Sequence, residues 1–148
     1  MPFPDPRFLW YWLPIGYLFS ILIETPVLVV GLSPRHPLRD RLVAGVWLTA
    51  CTYPVVVLVL PLCINPQEQE VLFTSVAEVF AAVTECVLFW VAFGKREEWL
   101  RPGMWRDLGV VVLANLASFV AGLVGERFDI FRPLMKWLFG ITDAPTDG

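Results

Sequence analysis

The chain reads as an all-α membrane protein, with four transmembrane helices built as two tandem helical hairpins and a C-terminal amphipathic helix in the interface. Three observations predict this. The composition is 57% apolar and only 17% charged, with a mean hydropathy of +0.64, which a soluble domain of ordinary surface does not have. The charges are clustered and leave apolar stretches at 8–32, 42–64, 71–93 and 108–124. Each is near the roughly 20 residues (range ~17–25) that a helix needs to cross the hydrocarbon core. Finally, one pattern occurs twice, in units spanning 8–64 and 71–124.

The first copy of the pattern opens Glu24-Thr25-Pro26-Val27-Leu28, passes a charged turn ending Arg39-Asp40-Arg41, and runs Val46-Trp47-Leu48-Thr49-Ala50-Cys51-Thr52-Tyr53. The second opens Glu85-Cys86-Val87-Leu88, passes a charged turn ending Arg106-Asp107, and runs Val112-Leu113-Ala114-Asn115-Leu116-Ala117-Ser118-Phe119. Glu answers Glu, Thr49 answers Asn115, Thr52 answers Ser118 and Tyr53 answers Phe119. Internal symmetry of this kind is a known construction of membrane proteins. Residues 1–127 then form one transmembrane domain, and 128–148 an interfacial helix with a disordered tail.

Taken in order, Met1–Arg7 carries three prolines and reads as an extended lead-in. Trp10, Tyr11 and Trp12 follow, where aromatic residues favour the headgroup boundary. The first span is too long for a signal peptide and is closed by no small-residue cleavage site, so it is expected to stay in the protein. It contains Pro14 and Pro26, each of which frees a backbone carbonyl that neighbours must re-satisfy. Tyr17, Ser20 and Glu24 share one face.

The turn 33–41 holds His36, the single histidine, read here as a solvated loop residue beside Arg35 and Pro37. The second span carries a small-polar stripe of Gly45, Thr49 and Thr52, the usual surface for close helix packing in lipid. Asn65–Glu70 is short and acidic, so spans two and three are antiparallel neighbours. Span three places Thr74, Glu78 and Glu85 on one face, with Ala81 and Ala82 between. The basic turn 94–107 contains Trp99 and Trp105, which points to the membrane surface. Span four is the shortest and carries Asn115, Ser118 and Gly122. In the tail, Ile130, Phe131, Leu134, Trp137, Leu138 and Ile141 repeat at helical spacing, as an interfacial amphipathic helix requires.

Charge placement predicts orientation. Lys and Arg collect in 33–41 and 94–107, whereas the turn between spans two and three has Glu68 and Glu70 and no base. The positive-inside rule therefore places the basic turns in the cytoplasm and both termini outside, for a multi-pass protein of the plasma (inner) membrane. Cys51, Cys63 and Cys86 lie inside spans, form no CxxC pair and read as small packing residues.

The candidate site is the repeated polar layer. At 1.5 Å of rise per residue, Glu24, Thr49, Glu85 and Asn115 all lie roughly 10–12 Å inside the cytoplasmic boundary, with Glu78 a further ~10 Å outward. An intramembrane carboxyl costs about 2.5–3.5 kcal/mol to insert and is a functional candidate by default. The competing reading makes Glu24–Thr49 and Glu85–Asn115 interhelical glue that fixes register. Thr52, Ser118 and Glu78 complete the candidate set, and Glu78, outside the repeat, has no symmetric structural role.

No Asp or His lies in any span, no Gly-rich phosphate loop occurs and no CxxC is present. This chemistry predicts a non-enzyme without a cofactor. Any metal would meet carboxyl, hydroxyl and amide oxygens, which suit hard cations. The architecture resembles the small multidrug-resistance transporters in having four helices and a glutamate in the first. The residues around it, Ile23-Glu24-Thr25-Pro26, depart from theirs, and no family is assigned. Two functions remain: a proton- or cation-linked transport unit acting as an oligomer, or an accessory subunit of a larger membrane complex. The partners expected are the lipid bilayer and either further copies or other membrane subunits, with no nucleic acid.

Overall fold

A computed structural model describes residues 6–94 and 102–128. The amphipathic helix and tail expected beyond Phe128, and Trp99, lie outside the described residues. So do the side chains of the expected Trp10–Trp12 belt. The described residues form four long helices and no strand: α1 (Pro6–Gly31), α2 (Leu38–Cys63), α3 (Glu70–Phe93) and α4 (Pro102–Arg127). All four contain stretches long and apolar enough to cross a membrane, as a small multi-pass membrane protein requires.

Two boundaries differ from expectation for one reason. α1 begins at Pro6, inside the expected lead-in, and α4 begins at Pro102, six residues before the apolar stretch, so it is not the shortest helix. Proline suits the first turn of a helix because its missing N–H would lack a partner there anyway. Apolar content marks the length a lipid core would cover, whereas the helix starts where the backbone permits.

The helices form a ring. α1 packs on α2 and α4, and α3 packs on α4 and α2, leaving α1 and α3 on one diagonal. α1 and α2 approach closely at Gly45, where an added Cβ would fall 2.9 Å from the Cα of Thr25. Similarly, Gly16 leaves room for the Tyr53 phenol. In α2, Pro54 removes a ladder donor, and the backbone adjusts around it. The Val55 N–H donates to Thr52 O, three residues back. A π turn then covers Val55–Val59, and the Leu60 N–H donates to Val55 O, five back.

Buried apolar residues gather towards the basic turns: Leu28, Leu32, Ala44, Leu48, Phe89, Met104 and Val111 are all at most 2% exposed. The outer surface is apolar too, with Leu22, Val30, Leu62 and Val71 more than 70% exposed. Such a surface suits acyl chains. In lipid no hydrophobic gain drives helices together, so close packing and interhelical hydrogen bonds must hold the ring. The cysteines contribute little to it. Cys51 and Cys63 are exposed on the outer surface, against the packing role expected of them. Cys86 alone is partly buried, its thiol 3.7 Å from Leu108 O.

Candidate functional site

The polar layer closes into two three-residue clusters. Glu24 on α1 lies between α2 and α4. Thr49 Oγ1 donates to its Oε2 at 2.6 Å, and Ser118 Oγ to its Oε1 at 2.6 Å. Glu85 on α3 lies between the same two helices. Thr52 Oγ1 donates to its Oε1 at 2.7 Å, and Asn115 Nδ2 to its Oε2 at 2.8 Å. Thr49 and Thr52 are one turn apart on α2, as are Asn115 and Ser118 on α4, so each carboxyl ties three helices together. Of the seven expected site residues, six are brought together in this way.

Both expected pairs, Glu24–Thr49 and Glu85–Asn115, are present. The two crossed bonds, to Ser118 and Thr52, are additional to them. They arise because the helices form a ring, so that each acid borders a neighbour from the other hairpin as well as from its own. Sequence spacing could place these hydroxyls on the right faces but not choose between neighbours.

The hydroxyl geometry allows proton exchange without repacking. Each hydroxyl carries one proton, yet each faces two acceptors. Thr49 Oγ1 is 2.9 Å from Gly45 O, Thr52 Oγ1 is 3.2 Å from Leu48 O, and Ser118 Oγ is 2.9 Å from Asn115 O. When a carboxylate is ionised, the hydroxyl donates to it. When the carboxyl carries a proton, its O–H donates to the hydroxyl oxygen, and the hydroxyl turns its own proton to the carbonyl. Glu24 can hold a proton on either oxygen. Glu85 can do so only on Oε1, because Oε2 faces Asn115 Nδ2, a donor that also reaches Val111 O at 3.1 Å.

Above the layer, towards the acidic turn, is an open cavity of about 360 Å³. Down α3 it is lined by Glu70, Thr74, Ala77, Glu78, Ala81 and Glu85, and its other walls include Gly16, Phe19, Ser20, Tyr53 and Phe119. Glu24, Thr49, Thr52, Asn115 and Ser118 also line it, and among the described residues no Lys or Arg does. Glu78 sits midway along the wall, apart from the hydrogen-bonded clusters. Ala82, expected on the same face, is not among the lining residues.

A second polar cluster went unforeseen. His36 is 7% exposed and not solvated. Its ring lies 5.4 Å from that of Phe89 and 6.4 Å from that of Phe93. The cause is Asp107, fully buried on the first turns of α4. Its carboxylate accepts from the Ser33 N–H at 2.8 Å, Ser33 Oγ at 2.9 Å, and Arg35 Nε and Nη2 at 3.0 and 2.7 Å, with His36 Nε2 at 3.1 Å. Arg41 grips the same turn through its carbonyls, donating to Val29 O, Ser33 O and His36 O. One signal could have found this cluster: Asp107 is an acid in an otherwise mostly basic turn, facing a short turn rich in donors.

Compared with known proteins, the chain matches no family model, no curated protein and no solved structure.

Proposed function

We propose that the chain is a proton- or cation-linked transport unit, with Glu24 and Glu85 as the exchanging groups and Glu78 as the acid on the way to them. The observation that carries this reading is the placement of both carboxyls at the inner end of a cavity whose described lining is acidic and holds no base. A carboxyl held only for packing needs no route to water. A carboxyl that exchanges a proton or cation does, and it also needs a hydrogen-bond network that survives the change of charge.

The bond pattern supports the two-hairpin repeat. Exchanging the hairpins carries Glu24 onto Glu85, Thr49 onto Asn115 and Thr52 onto Ser118. The Glu24–Thr49 bond then falls on Glu85–Asn115, and Glu24–Ser118 falls on Glu85–Thr52. Such a relation belongs to parallel repeats about an axis along the membrane normal. With the basic turns in the cytoplasm of a plasma (inner) membrane, the cavity opens outward. Four helices enclose no wide pathway through the membrane, so the working unit is an oligomer.

A second reading, an accessory subunit with the layer as glue, draws on one fact. All four carboxyl oxygens already have a donor, which is what fixing register demands. Flux separates the two readings. In proteoliposomes, Glu24→Gln, Glu85→Gln and Glu78→Gln are each expected to lower proton or cation flux at least tenfold while the protein stays folded. Wild-type vesicles as tight as empty ones to protons and to a panel of monovalent and divalent cations would support the accessory subunit.

A further inference from the structure

The described lining of the cavity runs from the carboxyl pair towards the acidic turn, and what the described residues place on the other side of the pair is built in two layers. Directly below the pair, each helix contributes a fully buried apolar side chain: Leu28 from α1, Leu48 from α2, Phe89 from α3 and Val111 from α4. Leu28 and Phe89 each lie one turn beyond their helix's glutamate, and Val111 one turn before Asn115. Beneath them, the turn 33–37 folds across the end of the ring and is pinned to α4 by Asp107. The Arg35 guanidinium also approaches the first turn of α4, with Nη2 3.8 Å from Met104 Sδ.

We infer that the Ser33–His36 turn, pinned by Asp107, is a releasable gate that separates the carboxyl pair from the basic-turn end. The inference rests on the reading of the pair as a working site, and it supplies what that site lacks, a second exit. Three features mark the turn as a latch. Most of its described hydrogen bonds to α4 converge on the Asp107 carboxylate, with Met104 Sδ beside Arg35 and the Arg106 bond to Gly31 O as weaker ties, so losing that carboxylate removes the main attachment. Its donors, Ser33, Arg35 and His36, come from four consecutive residues, so they leave together. Arg41, on the same hairpin, satisfies the turn's carbonyls independently of Asp107, so the turn can move as a formed unit with α1 and α2. Above it the plug is held by dispersion contacts alone, and a shift of α1 and α2 against α4 would part Leu28 and Leu48 from Val111.

The test is access to the cavity from each face. A variant with Ala81→Cys as its single cysteine, Cys51, Cys63 and Cys86 being replaced by Ala, places a thiol in the cavity wall between Glu78 and Glu85. In oriented proteoliposomes, a membrane-impermeant thiol reagent is expected to label it from the acidic-turn face only. Adding Asp107→Asn is expected to raise labelling from the basic-turn face at least tenfold. A folded Asp107→Asn protein that still labels from one face overturns the gate. So does a parent that labels equally from both faces, or from neither. If Asp107→Asn does not fold, Arg35→Gln replaces it, because it removes the two guanidinium bonds to Asp107 while Ser33 keeps its two, and the same outcomes decide. Labelling reads access and flux reads exchange, so either claim can fail visibly without the other.

Discussion

Replacing Asp107 by Ala is expected to lower the stability of the protein in detergent by about 3 kcal/mol, among the largest effects of any single truncation. Removing one partner of a buried ion pair typically costs about 3–5 kcal/mol, because the other charge is left without compensation. The lower end applies here, since the Arg35 side chain is 24% exposed and can regain water. The Ser33 N–H cannot, and loses its acceptor inside the fold. Ser33→Ala removes only the hydroxyl bond and is expected to cost about 1 kcal/mol. Denaturant or thermal unfolding of the two variants beside wild type checks the order. Equal, small losses would mean that the cluster contributes little to holding the turn.

The second large effect is functional and has almost no cost in stability. The double variant Glu24→Gln with Glu85→Gln is expected to carry no flux above empty vesicles and yet to unfold within about 1 kcal/mol of wild type. Gln reproduces the protonated carboxyl in shape and in donors. At position 85 its carbonyl accepts from Asn115 Nδ2, and its amide donates to Thr52 Oγ1, which turns its own proton to Leu48 O. At position 24 either hydroxyl can play the part of Thr52. The charge is gone but every bond remains. A double variant that unfolds early would show that the carboxyls give the ring something an amide cannot, and the glue reading would gain.

Much of this was legible in the sequence because it depends on local period and composition. Four apolar runs broken by charge give four helices, and 3.6-residue spacing puts Thr49 with Thr52, and Asn115 with Ser118, on single faces. Depth is also local, since counting residues from a charged turn places Glu24 and Glu85 in one layer. The unread part depends on neighbours. Which helix stands beside which decides whether Glu24 meets Ser118, and the linear pattern does not encode the ring order. His36 was misread for the same reason. A turn of Ser, Arg, His and Pro is soluble by composition, and only Asp107, more than seventy residues away, draws it inward. The start of α4 was missed because the charges that end an apolar run do not end a helix.

The measurement that bears most directly on the account is infrared difference spectroscopy of the reconstituted protein with isotope-labelled glutamate. Carboxyl bands report whether a side chain gains or loses a proton or binds a cation, with no flux assay between observation and claim. The account predicts bands that change with pH or cation concentration, and that part of this change disappears in the Glu24→Gln, Glu85→Gln double variant. Spectral changes identical in wild type and double variant, at every pH and cation concentration, would contradict it. They would leave the two glutamates as fixed struts between α2 and α4.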